Sequence, residues 1–65
     1  MTITCNGEVH DVVGTTLAIV LAELGFAGAV VATAVNGAFV PATARHLVSL
    51  KSGDAIEVLA PMQGG

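Results

Sequence analysis

The chain has 65 residues, 54% of them hydrophobic, with five acidic and two basic side chains and a net charge of −3. That length allows one domain and no large cleft between lobes, and Lys51 and Arg45 alone cannot neutralise the phosphates that nucleic-acid binding requires. A single cysteine, Cys5, excludes an internal disulfide framework and fits a reducing, cytoplasmic compartment.

Met1 to Cys5 alternates Ile3 and Cys5 against Thr2 and Thr4, and the chain then meets Asn6-Gly7, a strong short hairpin signal. Glu8 to Val13 supplies the returning strand. A two-residue loop pairs Cys5 with Glu8, Ile3 with His10 and Met1 with Val12. His10 then shares a face with Ile3, which predicts a bulge or an edge position for it. Gly14-Thr15-Thr16 introduces a helix with Thr15 or Thr16 as N-cap, and no Glu or Gln completes a capping box. Leu17, Val20, Leu21 and Leu24 make one apolar stripe, and Gly25 ends the helix. So short a helix must pack on a sheet to persist.

Val30 to Val35 reads as a strand and Asn36-Gly37 as a second hairpin turn before Ala38 to Val40. Pro41 to His46 is an irregular or short helical link, with Leu47, Val48 and Leu50 as apolar anchors. Ser52-Gly53-Asp54 is a turn. Ala55 to Ala60 is the last strand, with Ile56 and Val58 on one face and Glu57 on the other. Leu59 then either faces outward, as a candidate docking residue, or lies at a buried edge. The order predicts an α+β layer with the helix across a mixed sheet, the first and last strands pairing parallel in its centre. Residues 1–60 form that domain and residues 61–65 a flexible tail.

Leu24 to Ala44 carries no charge over 21 residues, long enough to cross a bilayer. Its Gly, Asn-Gly and Pro residues break it into short strand-like pieces instead. No basic region precedes an apolar run at the start, as a signal peptide would need, and no polybasic or lipidation signal points to a membrane. Cys5 alternates with Ile3 and is expected to be buried, with no cationic neighbour to activate it. His10 and His46 show no metal-ligand spacing. Glu8, Asp11, Glu23 and Glu57 are expected on solvated faces. No acid–base pair, nucleophile set or phosphate loop is visible, so the chain does not read as an enzyme.

Gly64-Gly65 is the informative pair. Lacking Cβ atoms, the two glycines form a thin, permissive lead to a carboxylate. Pro61 to Gly65 reaches about 17 Å at about 3.4 Å per residue, enough to thread Met62, Gln63 and Gly64 into a narrow channel of another protein.

With this strand order, Asn6 to Glu8 ("NGE"), Val35 to Gly37 ("VNG"), Ser52 to Val58 ("SGDAIEV") and Ala60 to Gly65 ("APMQGG"), the whole chain resembles the β-grasp, ubiquitin-like sulfur carriers, and among them the ThiS type of thiamine biosynthesis. The resemblance implies a carrier with no bound cofactor. A ThiF-type adenylating enzyme would use ATP to activate Gly65, and sulfur from a cysteine-desulfurase system would convert it to a thiocarboxylate. Thiazole synthase would accept the sulfur. Ala42 and His46 stand where many relatives have a basic and an aromatic residue, a departure that touches partner contacts. Two other readings remain open: the small subunit of molybdopterin synthase, whose chains end alike but are usually longer, and a non-catalytic β-grasp protein-binding module.

Overall fold

The computed structural model describes residues 1–60; Met62, Gln63, Gly64 and Gly65, and with them the expected tail, lie outside the described residues. β1 (Thr2–Cys5) and β2 (Glu8–Asp11) meet at Asn6-Gly7, whose φ angles of 52° and 85° are those of a type I′ turn. Cys5 opposes Glu8 and Ile3 opposes His10, so the expected register holds and no bulge intervenes. β2 is shorter than expected, but the pairing runs on to Val12, whose N–H donates to the Met1 carbonyl at 2.8 Å. Because β2 is an edge strand, His10 sits at the rim, half-buried beside Ile3.

Helix α1 (Leu17–Glu23) starts at Thr16, whose hydroxyl accepts from the Ile19 N–H at 3.3 Å. Leu17, Val20 and Leu21 are buried, as the stripe predicts. At the other end the Phe26 N–H donates to Leu21 and the Gly25 N–H to Ala22, the paired bonds of a Schellman cap, with Gly25 at φ 97°. Glu23 is exposed, as expected, and it also caps the preceding loop: its two carboxylate oxygens accept the N–H groups of Val13 and Gly14 at 2.8 and 2.9 Å. An acidic residue in a last helical turn opposes the macrodipole, and here two loop donors offset that penalty. Gly14 is required sterically, since a Cβ there would lie 2.5 Å from Ile19 Cγ2.

β3 (Ala32–Val35) and β4 (Ala38–Val40) are joined by Asn36-Gly37, again a type I′ turn. β3 begins two residues later than its composition predicts, and the Val31 carbonyl accepts instead from the Arg45 guanidinium at 2.5 Å. Arg45 lies on a 3₁₀ helix (Ala42–Leu47) and also donates to the Thr33 hydroxyl at 2.9 Å. Thr33, buried, donates its hydroxyl hydrogen bond to the Val40 carbonyl at 2.9 Å, so the group is satisfied. Of the predicted anchors, Leu50 is buried and Val48 packs partly against the core, but Leu47 is 73% exposed. The tight 3₁₀ turn directs Leu47 to solvent. The N–H of Leu17 donates to Val48 and that of Leu50 to Thr15, tying this segment to the start of α1.

β5 (Ala55–Leu59) completes a five-stranded sheet of order β2-β1-β5-β3-β4. It runs parallel to β1 and antiparallel to β3, in the centre as expected. Ile3, Leu17, Val20 and Ile56 are fully buried between sheet and helix. This is the β-grasp architecture. The uncharged 21-residue run is divided among a loop, β3, a turn, β4 and the 3₁₀ helix. Among the described residues no helix is long and apolar enough to cross a membrane.

Two measurements probe the Gly14–Glu23 junction. Gly14→Ala should lower the unfolding free energy in urea by about 1–3 kcal/mol, the range typical of overpacking. The Gly14 and Val13 N–H groups hold the Glu23 carboxyl below its ordinary value. The stability they add is therefore present at neutral pH and is lost as pH falls through the carboxylate range, below about pH 5. Glu23→Gln should show a shallower fall of melting temperature over that acid range than the parent; an identical slope would remove Glu23 from the explanation.

Candidate functional site

The residues from which the expected tail departs belong to β5, a strand with a neighbour on each edge. On the β1 side the last backbone pair is Cys5 with Ile56, after which β1 turns away. The side chain of Asn6 then takes over. Its Oδ1 accepts from the Val58 N–H at 2.8 Å and its Nδ2 donates to the Val58 carbonyl at 3.1 Å, while its own N–H donates to Ile56 at 2.9 Å. A carboxamide carries one acceptor and two donors, so it can reproduce both bonds of a neighbouring strand residue.

Asn36 holds the opposite end with one side-chain bond and one backbone bond. Its Oδ1 accepts from the Ala55 N–H at 2.9 Å, and its N–H donates to the Ala55 carbonyl at 2.7 Å. Its Nδ2 donates to Asp54 Oδ1 at 3.0 Å, and Asp54 Oδ2 accepts from the Lys51 N–H at 2.8 Å. Those two donors, Asn36 first, hold the Asp54 carboxyl below its ordinary value. Asp54 is thus more than a turn residue; it closes the entry to β5.

Leu59 faces outward and is 69% exposed. It lies between two shallow apolar grooves on the sheet face away from α1. One is lined by Ala32, Ala34, Phe39 and Glu57, the other by Val30, Val31, Ala32 and Ala60. Phe39 is equally exposed, and the alanines opposite Glu57 and Leu59 on β3 leave the larger side chains standing clear. Glu57 is the single charge in this patch.

The remaining candidates do not form a reactive centre. Cys5 is buried, and burial, with a smaller contribution from Glu8, pushes its thiol up, away from the reactive thiolate. His10 Nε2 stands 3.6 Å from Glu8 Oε1 at the sheet edge. His46 lies apart from it, beside Arg45 in the cleft between α1 and the 3₁₀ helix. Among the described residues no three His, Cys, Asp or Glu side chains come together as a metal site. Sequence reasoning took Asn6 and Asn36 for turn residues only. A signal for their second role was present: Asp-Gly would turn the chain equally well, whereas asparagine alone can both donate to and accept from a strand.

Comparison with known proteins places this geometry. The sequence profile of the ThiS family matches residues 3–65. The crystal structure of the thiamine biosynthesis protein ThiS from Geobacter metallireducens is 33% identical, with all of both chains covered and a TM-score of 0.84. The NMR solution structure of a thiamine biosynthesis protein from the same organism is 32% identical, covering 100% of this chain and 88% of that one, with a TM-score of 0.76. The curated proteins contain no match. With its fold shared along the full length and its sequence matched from β1 onward, this chain belongs to the ThiS family.

Proposed function

We propose that the chain is a sulfur carrier of thiamine biosynthesis, with Gly65 as the residue that carries sulfur. The likeness, over its whole length, to a thiamine biosynthesis protein supports this reading most strongly. The chemistry explains why a carrier needs partners. A carboxylate is a poor electrophile, so a ThiF-type adenylating enzyme first joins the Gly65 carboxylate to the α-phosphorus of ATP, and pyrophosphate leaves. A sulfur nucleophile derived from a cysteine desulfurase then attacks the acyl carbon. The carbon–sulfur bond forms and AMP leaves, giving an acyl disulfide with the donor; a thiol then cleaves its S–S bond, becoming part of a disulfide, and a thiocarboxylate remains. Thiazole synthase takes that sulfur. ATP belongs to the partner, and the carrier contributes a reactive end and a surface.

Gly64, without a side chain, keeps the approach to the acyl carbon thin, and Gln63 and Met62 follow it into the partner's channel. Leu59 and Phe39, with Glu57 beside Leu59 on β5 and in the same cross-strand row as Phe39, supply the docking face. Their exposure and their place next to the start of the tail support that assignment.

Intact-mass measurement after incubation with ATP, the adenylating enzyme and a sulfur source tests the reading. The expected result is an adenylate, then a mass gain equal to oxygen-to-sulfur exchange, mapped to Gly65. Deleting Gly65 should abolish both and leave thermal unfolding unchanged. The exchange should persist in Cys5→Ala, because the native Cys5 thiol is buried; native protein should also react with a thiol reagent only after denaturation. Leu59→Ser should raise KM for the carrier by about tenfold, the loss expected for one buried leucine contact. Rescue of a molybdenum-cofactor auxotroph instead of a thiamine auxotroph would move the chain to the other pathway.

A further inference from the structure

We propose that Asn6 is a positioning residue for the tail: its carboxamide determines where the chain leaves the sheet and so whether the Gly65 carboxylate reaches the α-phosphorus of ATP in the partner. The proposal rests on the sulfur-carrier reading for its chemistry and on the geometry around Val58 for its cause.

β5 outlasts β1. From Val58 onward its β1-side edge faces the Asn6-Gly7 turn and no strand, and an extended segment with one free edge tends to fray. Asn6 prevents this by bonding both the N–H and the carbonyl of Val58. On the other edge Ala32 pairs with Leu59. The two edges are therefore held at consecutive residues, 58 and 59, immediately before Ala60. Remove the carboxamide, and the last hold on the β1 side retreats to the Asn6 N–H on Ile56. The strand end would then be held on its β3 edge alone.

That change matters more for chemistry than for docking. The apolar patch around Leu59 and Phe39 lies on β4, β5 and the β3 face, and Asn6 contributes nothing to it. Leu59 keeps its pairing with Ala32 and docks as before, but a strand end held on one edge leaves the sheet in more directions, so fewer docked complexes hold the carboxylate at attacking distance. Misplacement of a reacting group by about 1 Å can cost on the order of a hundredfold in rate.

Asn36 provides the internal comparison. It also occupies the first position of a type I′ Asn-Gly turn and also bonds β5 through its carboxamide, but at Ala55, where the strand begins. Asn6→Gly and Asn36→Gly keep both turns, since glycine adopts positive φ freely, and each removes one clamp. Asn6→Asp keeps the acceptor for the Val58 N–H and sets a carboxylate oxygen against the Val58 carbonyl.

The experiment measures pyrophosphate release by the ThiF-type enzyme against carrier concentration, with urea unfolding and backbone ¹⁵N relaxation on the same samples. Asn6→Gly should lower kcat by about tenfold or more, with KM changed less than twofold. Asn6→Asp should fall at or below Asn6→Gly. Asn36→Gly should keep kcat within about twofold of the parent even where its loss of stability is as large. The order parameter at Ala60 should drop in Asn6→Gly and not in Asn36→Gly. Equal kcat losses in the two glycine variants would reduce Asn6 to a stability effect and overturn the proposal. So would an unchanged order parameter at Ala60 in Asn6→Gly, whatever the kinetics. A parent protein that the enzyme never adenylates would instead sink the sulfur-carrier reading, with the relaxation comparison still deciding what Asn6 does to the strand end.

Discussion

The central strand β5 is hydrogen-bonded along both edges, and where its backbone neighbours run out a carboxamide replaces them. An unpaired edge in the middle of a sheet this small would leave strand backbone groups without protein partners, Val58 among them where it is partly buried. Asn6 at Val58 and Asn36 at Ala55 meet that need from opposite ends. Each does so from a turn that the hairpin required anyway. Two residues thus perform two tasks apiece, and the sheet gains a fully bonded centre without longer strands.

The scarce polar side chains elsewhere are used in the same manner, mostly on backbone groups. Arg45 binds the Val31 carbonyl and the Thr33 hydroxyl and so fastens the 3₁₀ helix to β3. Glu23 holds the loop that enters its own helix. Thr33 completes the link to β4. Among the described residues no buried side-chain nitrogen or oxygen lacks a partner. A chain with seven charges therefore orders its connections by capping loops, while Ile3, Leu17, Val20 and Ile56 supply the packing.

Much of this was legible in the residues. Asn-Gly fixes a two-residue turn and therefore a register, so the pairing of Cys5 with Glu8 and of Ile3 with His10 followed directly. The leucine–valine stripe located α1, and Ile56 and Val58 pointed inward as their alternation required. What stayed hidden depends on neighbours distant in sequence. Leu47 looks like an anchor because it is apolar, yet the 3₁₀ helix turns it outward. Glu23 and Arg45 look like surface charges, since nothing local reveals the backbone groups they reach. The candidate site divides likewise. The outward placement of Leu59 was one of two alternatives the alternation allowed, whereas the Asn6 clamp links residues 52 positions apart and has no local signature.

That separation bears on synthesis. The strand at the centre of the sheet is the last of the five to be synthesised, and it must be inserted between β1 and β3. Until it emerges, the nascent chain is two hairpins, each with an open inner edge, and a helix with nothing to lie across. Long-range pairing of this kind is slow to nucleate. The core and the strand that leads to the tail are therefore completed in one event, so a chain truncated before β5 would lack not only its end but any stable fold to present it.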